Sequence, residues 1–133
     1  MKTGQVGGMG AARAVSLWAL VAFACAFGAR ATAEEGAVLV MFDEDHCPYC
    51  ERWHAEIGVV YAKTAEGKRA PLRQVDVHGP LPSDLPGLEP ARFSPVFVLW
   101  QGGREWGRIL GYPGEDFFWP MLDELLSQLD SQT

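Results

Sequence analysis

Two cysteines separated by two residues are the most reactive feature of this 133-residue sequence, which reads Cys47-Pro48-Tyr49-Cys50. An apolar run precedes the pair and a helical pattern follows it, so we expect a strand-to-helix junction with Pro48 in the first helical turn. Unpaired N–H groups at a helix start stabilise an anion and lower the pKa of a thiol placed there. The spacing therefore predicts thiol–disulfide exchange, in which Cys47 forms a mixed disulfide and Cys50 resolves it.

The same pair has other uses that the sequence leaves open. A structural disulfide across this spacing closes almost no loop, so it would stabilise the fold little through chain entropy. A zinc site needs two further ligands; His46 and His54 flank the pair, although neighbours in sequence point in different directions around a helix. Haem attachment is excluded because Glu51, not histidine, follows the second cysteine. Exchange chemistry is the favoured interpretation.

A serine–proline pair, Ser94-Pro95, stands immediately before a later apolar run. Proline cannot donate to a strand ladder and is awkward at that position. A cis Ser94–Pro95 bond would account for it, because such bonds occur at tight turns. The alternative is an ordinary loop proline at the start of a strand.

Three polar residues next to the first cysteine are further candidates. His46 either stabilises the Cys47 thiolate or is a solvated turn residue, and the sequence favours neither. Glu44 and Asp45 are interpreted as solvated acids rather than proton carriers.

The elements that must position these residues follow from the hydrophobic pattern. Residues 37–42 form a continuous apolar run, which is typical of a strand buried on both faces. From residue 51 to about residue 65, apolar residues recur at helical spacing, and Gly67 is expected to end that helix; the recurring positions are Trp53, Ile57, Val60 and Tyr61. Residues 72–77 read as a second strand, and residues 79–90 carry four prolines and are expected to form a loop.

The last third of the sequence predicts a hairpin and a closing helix. Residues 96–100 and 106–110 are expected to be antiparallel strands joined by a turn at Gly102-Gly103. Residues 115–129 have an amphipathic pattern, with a bend or a later helix start expected at Pro120. The order is β-α-β-loop-β-β-α, an α/β domain with a mixed sheet. Three tryptophans are expected in core packing rather than on a partner surface: Trp100, Trp106 and Trp119.

The first 33 residues are expected to be a cleaved secretory signal. They contain basic residues but no acid, and an uncharged run over residues 15–29. Alanines at positions 29, 31 and 33 provide the small residues that signal peptidase requires for cleavage just after Ala31 or Ala33. The fifteen-residue run is shorter than the ~20 residues that span a bilayer, so a membrane anchor is the less favoured alternative. Cys25 lies in this run and is interpreted as an apolar residue that is removed with the signal.

Composition is typical of one globular domain, here residues 34–133. The full chain is 48% hydrophobic and 21% charged, which excludes a disordered chain, a collagen-like repeat and a coiled coil. Three cysteines are too few for a disulfide scaffold. The net charge is −6; since the signal holds three basic residues and no acid, residues 34–133 carry about −9. Such a charge argues against nucleic acid or an anionic membrane as the main partner.

With these residues in place, the sequence resembles the thioredoxin superfamily over nearly all of residues 34–133. The likeness is carried by AVLVMFDEDHCPYC, SPVFVLW and REWGRILGYPGEDFF. It implies a thioredoxin-like α/β fold, a compact β-α-β-β-α variant with a central mixed sheet flanked by helices. It also implies that Cys47 is the nucleophile, Cys50 the resolving thiol and Pro95 a cis-proline that faces them.

The resemblance implies further roles around the pair. Pro48, Tyr49 and Ser94 are expected to contact the substrate, and His46 to modulate the pKa of the nucleophile. More narrowly, the sequence is similar to periplasmic thioredoxins of bacterial sulfur-oxidation (Sox) systems. That likeness implies a periplasmic monomer without a cofactor or a metal, which keeps a sulfur-carrier protein reductively active and receives electrons from a membrane thiol transporter.

The sequence also departs from ordinary thioredoxins. Met41 occupies the position of their buried aspartate, so the proton acceptor for Cys50 is unassigned, and the sequence leaves open whether Glu44 or water serves. Cys-Pro-Tyr-Cys replaces the usual W-C-G-P-C motif and is the pattern of glutaredoxins, and the extra N-terminal strand and helix are missing. Two alternative functions therefore stand beside reduction of a partner: a disulfide-forming oxidant or isomerase, and a metal-binding carrier that uses Cys47, Cys50 and a histidine.

Overall fold

A four-stranded mixed sheet is the centre of the fold in the computed structural model, which describes residues 36–132. The strands are β1 (Val38–Asp43), β2 (Leu72–Asp76), β3 (Val96–Gln101) and β4 (Arg104–Leu110), in the spatial order β2-β1-β3-β4. β1 runs parallel to β2 and antiparallel to β3, and β3 pairs antiparallel with β4. The predicted mixed sheet and its hairpin are confirmed, and Gly102 and Gly103 adopt the positive φ angles that the turn requires.

Four α-helices and one π-helical turn complete the fold between residues 36 and 132. The elements are α1 (Pro48–Trp53), the π turn (His54–Gly58), α2 (Val59–Tyr61), α3 (Ala65–Arg69) and α4 (Glu115–Asp130). The predicted first helix is present, but the π turn interrupts it. None of the helices between residues 36 and 132 has the length and apolar character that a membrane crossing requires.

The π turn changes which residues of this helical stretch face the core. Trp53, Ile57 and Tyr61 are buried at intervals of four residues, whereas Val60 is 41% exposed. Because the π turn is wider than an α-helical turn, Tyr61 follows Ile57 as the next buried residue and Val60 faces solvent. The expectation that Val60 belongs to the buried stripe is therefore wrong.

Gly67 lies inside α3 and does not end the preceding helix, contrary to the sequence prediction. The hydroxyl of Thr64 accepts the Gly67 N–H and caps α3. A Cβ at residue 67 would lie 1.9 Å from the carbonyl oxygen of Tyr61. Glycine is thus required for the close approach of α3 to the end of α2.

The first apolar cluster lies between one face of the sheet and the helices. β1, β3 and β4 supply Leu39, Met41, Phe97, Leu99 and Ile109 to this cluster. The helices supply Trp53, Ile57 and Tyr61, and from α4 Phe118, Leu122, Leu125, Leu126 and Leu129. Both cysteines belong to the same cluster. The side chains that position the cysteines are therefore continuous with the main core.

The opposite face of the sheet is covered by the proline-rich segment (residues 79–90) rather than by a helix. Leu85 and Leu88 from this segment pack on the strand residues Val40, Phe42, Val75, Val96, Val98 and Trp100. The indole N–H of Trp100 donates to the carbonyl oxygen of Pro86 at 2.9 Å. Trp100 is in the core as predicted, and Trp106 and Trp119 pack half-buried against the first cluster.

The closing helix α4 begins at Glu115, before Pro120. The N–H of Phe118 donates to the carbonyl oxygen of Gly114 at 2.9 Å, so the first turn is already formed there. Pro120 lacks an N–H and removes one bond of the helix without delaying its start. The expected later start is wrong. The predicted signal (residues 1–33) and Cys25 lie outside the described residues.

Candidate active site

A disulfide joins Cys47 and Cys50 at the start of α1, with the two Cα atoms 5.2 Å apart. Cys47 is the N-cap residue of α1, and Pro48 occupies the first helical position. The Cys50 N–H donates to Sγ of Cys47 at 3.1 Å. The predicted strand-to-helix placement is therefore present, and the first cysteine sulfur accepts an N–H that would otherwise be unpaired.

The two cysteines differ in exposure. Cys47 is 7% exposed and Cys50 only 1%. Pro48 and Tyr49, between them, are exposed, and the Tyr49 side chain is 60% accessible. Cys47 is therefore the less buried cysteine of the pair.

The Ser94–Pro95 segment lies at the same edge of the sheet as the cysteine loop. Phe42 at the end of β1 pairs with Val96 at the start of β3, so the chain leaves β1 beside the point where it enters β3. The Ser94–Pro95 peptide is cis, as predicted. The carbonyl oxygen of Pro95 accepts the Gly111 N–H at 2.9 Å, which fixes the segment to the end of β4.

Phe93 is a surface residue that the sequence reasoning missed. It lies two positions before Pro95, and its side chain is 50% exposed. With Tyr49 it presents a second aromatic ring on the segments that flank the disulfide. Its position in an X-Ser-Pro sequence before a buried strand was the signal that could have identified it.

Glu44 has two partners and is not the solvated acid expected from the sequence. Its carboxylate accepts the hydroxyl of Ser94, and His78 Nε2 lies 2.7 Å from its other oxygen. The hydrogen bond from Ser94, followed by the one from His78, holds the pKa of Glu44 below its ordinary value. Asp45 is exposed, as expected.

His46 adopts a φ of 61°, in the left-handed region that non-glycine residues seldom occupy. The side chain is exposed, and within residues 36–132 it forms no hydrogen bond. In the disulfide form the imidazole is therefore adjacent to Cys47 in sequence without a fixed contact to it.

A second polar contact, absent from the sequence prediction, joins β1 to the π turn. Asp43 Oδ2 lies 2.6 Å from His54 Nε2 and 3.2 Å from Gln74 Nε2. Oδ1 of the same carboxylate accepts the Glu44 N–H at 2.9 Å. Met41, two residues earlier on the same face of β1, is fully buried in apolar surroundings.

The loop after β4 is held against the π turn by a carboxylate. Glu56 accepts the Tyr112 hydroxyl at 2.6 Å and the Arg52 Nε–H at 2.9 Å. The Tyr112 bond, and then the Arg52 bond, lower the pKa of Glu56. Burial and the adjacent carboxylate raise the pKa of Tyr112, so its hydroxyl remains a donor at neutral pH.

The two cysteines and a histidine do not form a ligand set in the disulfide form. Across residues 36–132, no three histidine, cysteine, aspartate or glutamate side chains are grouped closely enough to hold a metal ion. His54 Nε2 is directed to Asp43, and His46 is exposed. The arrangement is suited to exchange at a disulfide.

Comparison with known proteins identifies the superfamily. No family model matches the sequence, and no curated protein matches it. Among solved structures, the periplasmic thioredoxin SoxS from Paracoccus pantotrophus, in its reduced form, is 48% identical, with a TM-score of 0.67. The match covers 70% of this chain and 98% of the SoxS chain. With its Cys47–Cys50 disulfide the chain is a thiol–disulfide oxidoreductase, and it belongs to the thioredoxin superfamily, close to SoxS.

Proposed function

We propose that the chain is an exported, periplasmic reductase that transfers two electrons from its reduced cysteine pair to a disulfide on a partner protein. The observation that carries the proposal is the Cys47–Cys50 disulfide, in which Cys47, the less buried cysteine, caps the first helix. The roles proposed are nucleophile for Cys47 and resolving thiol for Cys50. Pro95 is proposed to face the reacting sulfur atoms, and Pro48, Tyr49 and Ser94 to contact the substrate.

The exchange has two steps. The Cys47 thiolate attacks one sulfur of the partner disulfide, forms a mixed disulfide and releases the other partner sulfur as a thiolate, which takes up a proton. Cys50, after losing its proton, attacks Sγ of Cys47 and breaks the bond to the partner. The second partner sulfur leaves as a thiol, and the Cys47–Cys50 disulfide forms, so that the partner is reduced and the chain oxidised.

Two features of the site support this order of attack. The Cys50 N–H that caps Cys47 Sγ also favours a thiolate at that atom, because a hydrogen bond to the charged form stabilises it. Cys50 is almost completely buried, so a partner sulfur atom cannot approach it directly. Buried Cys50 can nevertheless reach Cys47, as the disulfide between them demonstrates.

The cellular setting is proposed from the likeness to SoxS and from the N-terminal sequence. Residues 1–33 have the composition of a cleaved signal, and the solved relative is described as periplasmic. We therefore infer a periplasmic monomer whose substrate is the sulfur-carrier protein of a sulfur-oxidation system. A membrane thiol transporter would return the oxidised pair to the dithiol form.

The proposal is tested by trapping the mixed disulfide. Cys50→Ser is expected to retain a partner protein through Cys47, because the resolving step is removed. Cys47→Ser is the matched control and is expected to trap nothing, because Cys50 is buried. Non-reducing electrophoresis and mass spectrometry identify the partner. Equal trapping by the two variants would show that the roles are assigned incorrectly.

The direction of electron transfer is tested on the same purified protein. Equilibration of the Cys47–Cys50 pair with glutathione gives its reduction potential. A potential of about −270 mV is typical of a reductant, and one of about −120 mV is typical of an oxidant. The second value would contradict the proposed direction and favour a disulfide-forming role.

A further inference from the structure

One carboxylate connects the two loops that flank the disulfide. Glu44 lies three residues before Cys47 on the loop that follows β1. It accepts the hydroxyl of Ser94, fifty residues away, on the segment that enters β3. Its other oxygen is 2.7 Å from Nε2 of His78, on the loop after β2. Three separate segments therefore meet at a single side chain.

The backbone does not make this connection itself. The ladder between β1 and β3 ends at the Phe42–Val96 pair, and Pro95 has no N–H with which to extend it. The carbonyl oxygen of Asp43 accepts the Val77 N–H, on the side of β2. Within the described part of the chain, no backbone hydrogen bond joins residues 44–47 to residues 93–95.

The chemistry of this bond makes it a strong local restraint. A hydroxyl that donates to a carboxylate forms a charge-assisted hydrogen bond, which is stronger than one between neutral groups. Glu44 is only one-third exposed, and Ser94 is half-buried, so water competes weakly for the bond. His78 is itself restrained, because its backbone N–H donates to Asp76 Oδ1 at 2.9 Å.

We propose that Glu44 is a positioning residue of the redox site: it holds Ser94, and with it the Ser94–Pro95 peptide, at a fixed distance from the loop that carries Cys47. His78 holds the same carboxylate from the side of β2. Glu44 takes no part in bond making or breaking. It sets the width of the surface across which a partner segment must lie, and this role rests on the proposed function of Cys47 as the attacking sulfur.

Four variants separate positioning from charge. Glu44→Ala removes both the acceptor and the charge, whereas Glu44→Gln retains an acceptor oxygen and removes only the charge. Ser94→Ala removes the donor and leaves the charge. Asp45→Ala removes an equal charge from the neighbouring exposed residue, which does not contact Ser94. Positioning predicts that Glu44→Ala and Ser94→Ala behave alike and that Asp45→Ala remains close to wild type. Glu44→Gln keeps an acceptor but loses the charge that strengthens the bond, so it should lie between Glu44→Ala and wild type.

The kinetic readout compares a protein disulfide with a small one. With insulin as substrate and dithiothreitol as donor, Glu44→Ala and Ser94→Ala are expected to lower kcat/KM about tenfold, mainly through KM. Reduction of the small disulfide dithiobis-nitrobenzoate, which does not span the two loops, is expected to change less than about twofold. If Asp45→Ala is as impaired as Glu44→Ala while Ser94→Ala stays close to wild type, the role is electrostatic and positioning is wrong.

A structural readout remains informative whatever the direction of electron transfer. Hydrogen–deuterium exchange of residues 92–97 is expected to be about tenfold faster in Glu44→Ala and Ser94→Ala than in Asp45→Ala. If the wild-type protein does not reduce insulin but the variants show this difference in exchange, the proposed function is overturned and the positioning role is supported. Exchange that is equal in all four variants overturns the positioning role, even if the protein is an active reductase.

Discussion

The reactivity proposed for Cys47 depends on its local backbone. Its sulfur caps α1 and accepts the Cys50 N–H, so the helix start faces the atom that must carry negative charge. The preceding residue, His46, turns the chain through a left-handed conformation. The residue before Cys47 thus holds a left-handed backbone conformation, which costs roughly 1–2 kcal/mol for residues other than glycine, asparagine and aspartate. The backbone of His46 shapes the turn before Cys47, whereas a contribution of its imidazole remains a prediction.

The imidazole contribution is tested with His46→Asn. Asparagine adopts the left-handed conformation readily, so this variant keeps the turn and removes only the basic ring. We expect the pKa of the Cys47 thiol to rise, because a neighbouring imidazolium favours the thiolate. Ultraviolet absorbance of the thiolate against pH measures the change. Alkylation at neutral pH should slow by roughly threefold, the effect of an exposed ion pair.

His46→Ala is the matched control for the backbone. Alanine fits the left-handed region less well than asparagine, so the unfolding free energy of His46→Ala is expected to be about 1 kcal/mol lower than that of His46→Asn. An unchanged thiol pKa in His46→Asn would identify His46 as a solvated turn residue. The role implied by the family resemblance would then be wrong.

The residues of the site divide by how far apart in the sequence their partners lie. Cys47, Cys50 and Pro95 could be predicted because a local pattern marks each of them: a two-residue spacing or a proline before an apolar run. The pair Glu44–Ser94 could not, because its members are fifty residues apart. Only the register of β1 against β3 brings those two side chains together.

The π turn is the element that hydrophobic periodicity could not identify. Its five residues contain the buried Ile57, which also fits an α-helical pattern. What distinguishes the π turn is the position of Glu56, which receives Tyr112 from the loop after β4 and Arg52 from α1. A π turn of this kind frequently accompanies a functional site. Here it holds the loop whose Gly111 N–H bonds to Pro95.

The contribution of the Glu56 carboxylate to the free energy of unfolding is expected to depend on pH. Because the Tyr112 bond and then the Arg52 bond lower the pKa of folded Glu56, the ionised group stabilises the fold above its ordinary pKa of 4.5. That stabilisation is lost as the pH falls through the lowered folded value. Glu56→Gln should therefore be less stable than wild type at neutral pH, and the difference should shrink in acid. Urea denaturation over a range of pH measures both.

Tyr112→Phe provides the second arm of this test. It keeps the ring that packs edge-on against Phe118 and removes the hydroxyl that is the largest cause of the lowered Glu56 pKa. Adding Glu56→Gln to Tyr112→Phe should then cost less stability at neutral pH than Glu56→Gln alone. A stability difference between Glu56→Gln and wild type that is constant across pH would contradict the coupling.

The proline-rich segment was predicted as a loop, and its four prolines explain why no helix forms there. Its packing could not be predicted, because two leucines among prolines form no periodic pattern. Gly87, with a φ of 77°, lets this segment approach the hairpin turn; a Cβ there would lie 2.3 Å from the carbonyl oxygen of Gly103. The segment is therefore fitted to the sheet at its backbone as well as by Leu85 and Leu88.

On the scale of the whole molecule, one sheet separates two cores of different construction. The first is covered by helices and includes the cysteines, and the second is covered by an irregular segment. Both cores use β1 and β3, which also carry the two loops of the redox site at one edge. A substitution that destabilises the second core should consequently also affect the redox site, because the two share β1 and β3. The order of elements in the sequence is enough to predict the sheet and the fold class. It does not predict what covers the second face, because the covering segment has no regular pattern.

Leu88→Ala and Leu122→Ala test whether the two cores unfold together. Leu88 belongs to the second cluster and Leu122 to the first, and both are buried. Because the clusters share β1 and β3, each substitution should lower the free energy of unfolding by about 2–5 kcal/mol and leave a single urea transition. The unfolding transitions followed by circular dichroism and by tryptophan fluorescence should then coincide.

Leu81→Ala is the matched control, because Leu81 lies in the same segment but is 39% exposed. It should change the free energy of unfolding by less than about 0.5 kcal/mol. A Leu88→Ala protein whose fluorescence changes at lower urea than its helical signal would show that the proline-rich segment opens independently, which would contradict a shared core.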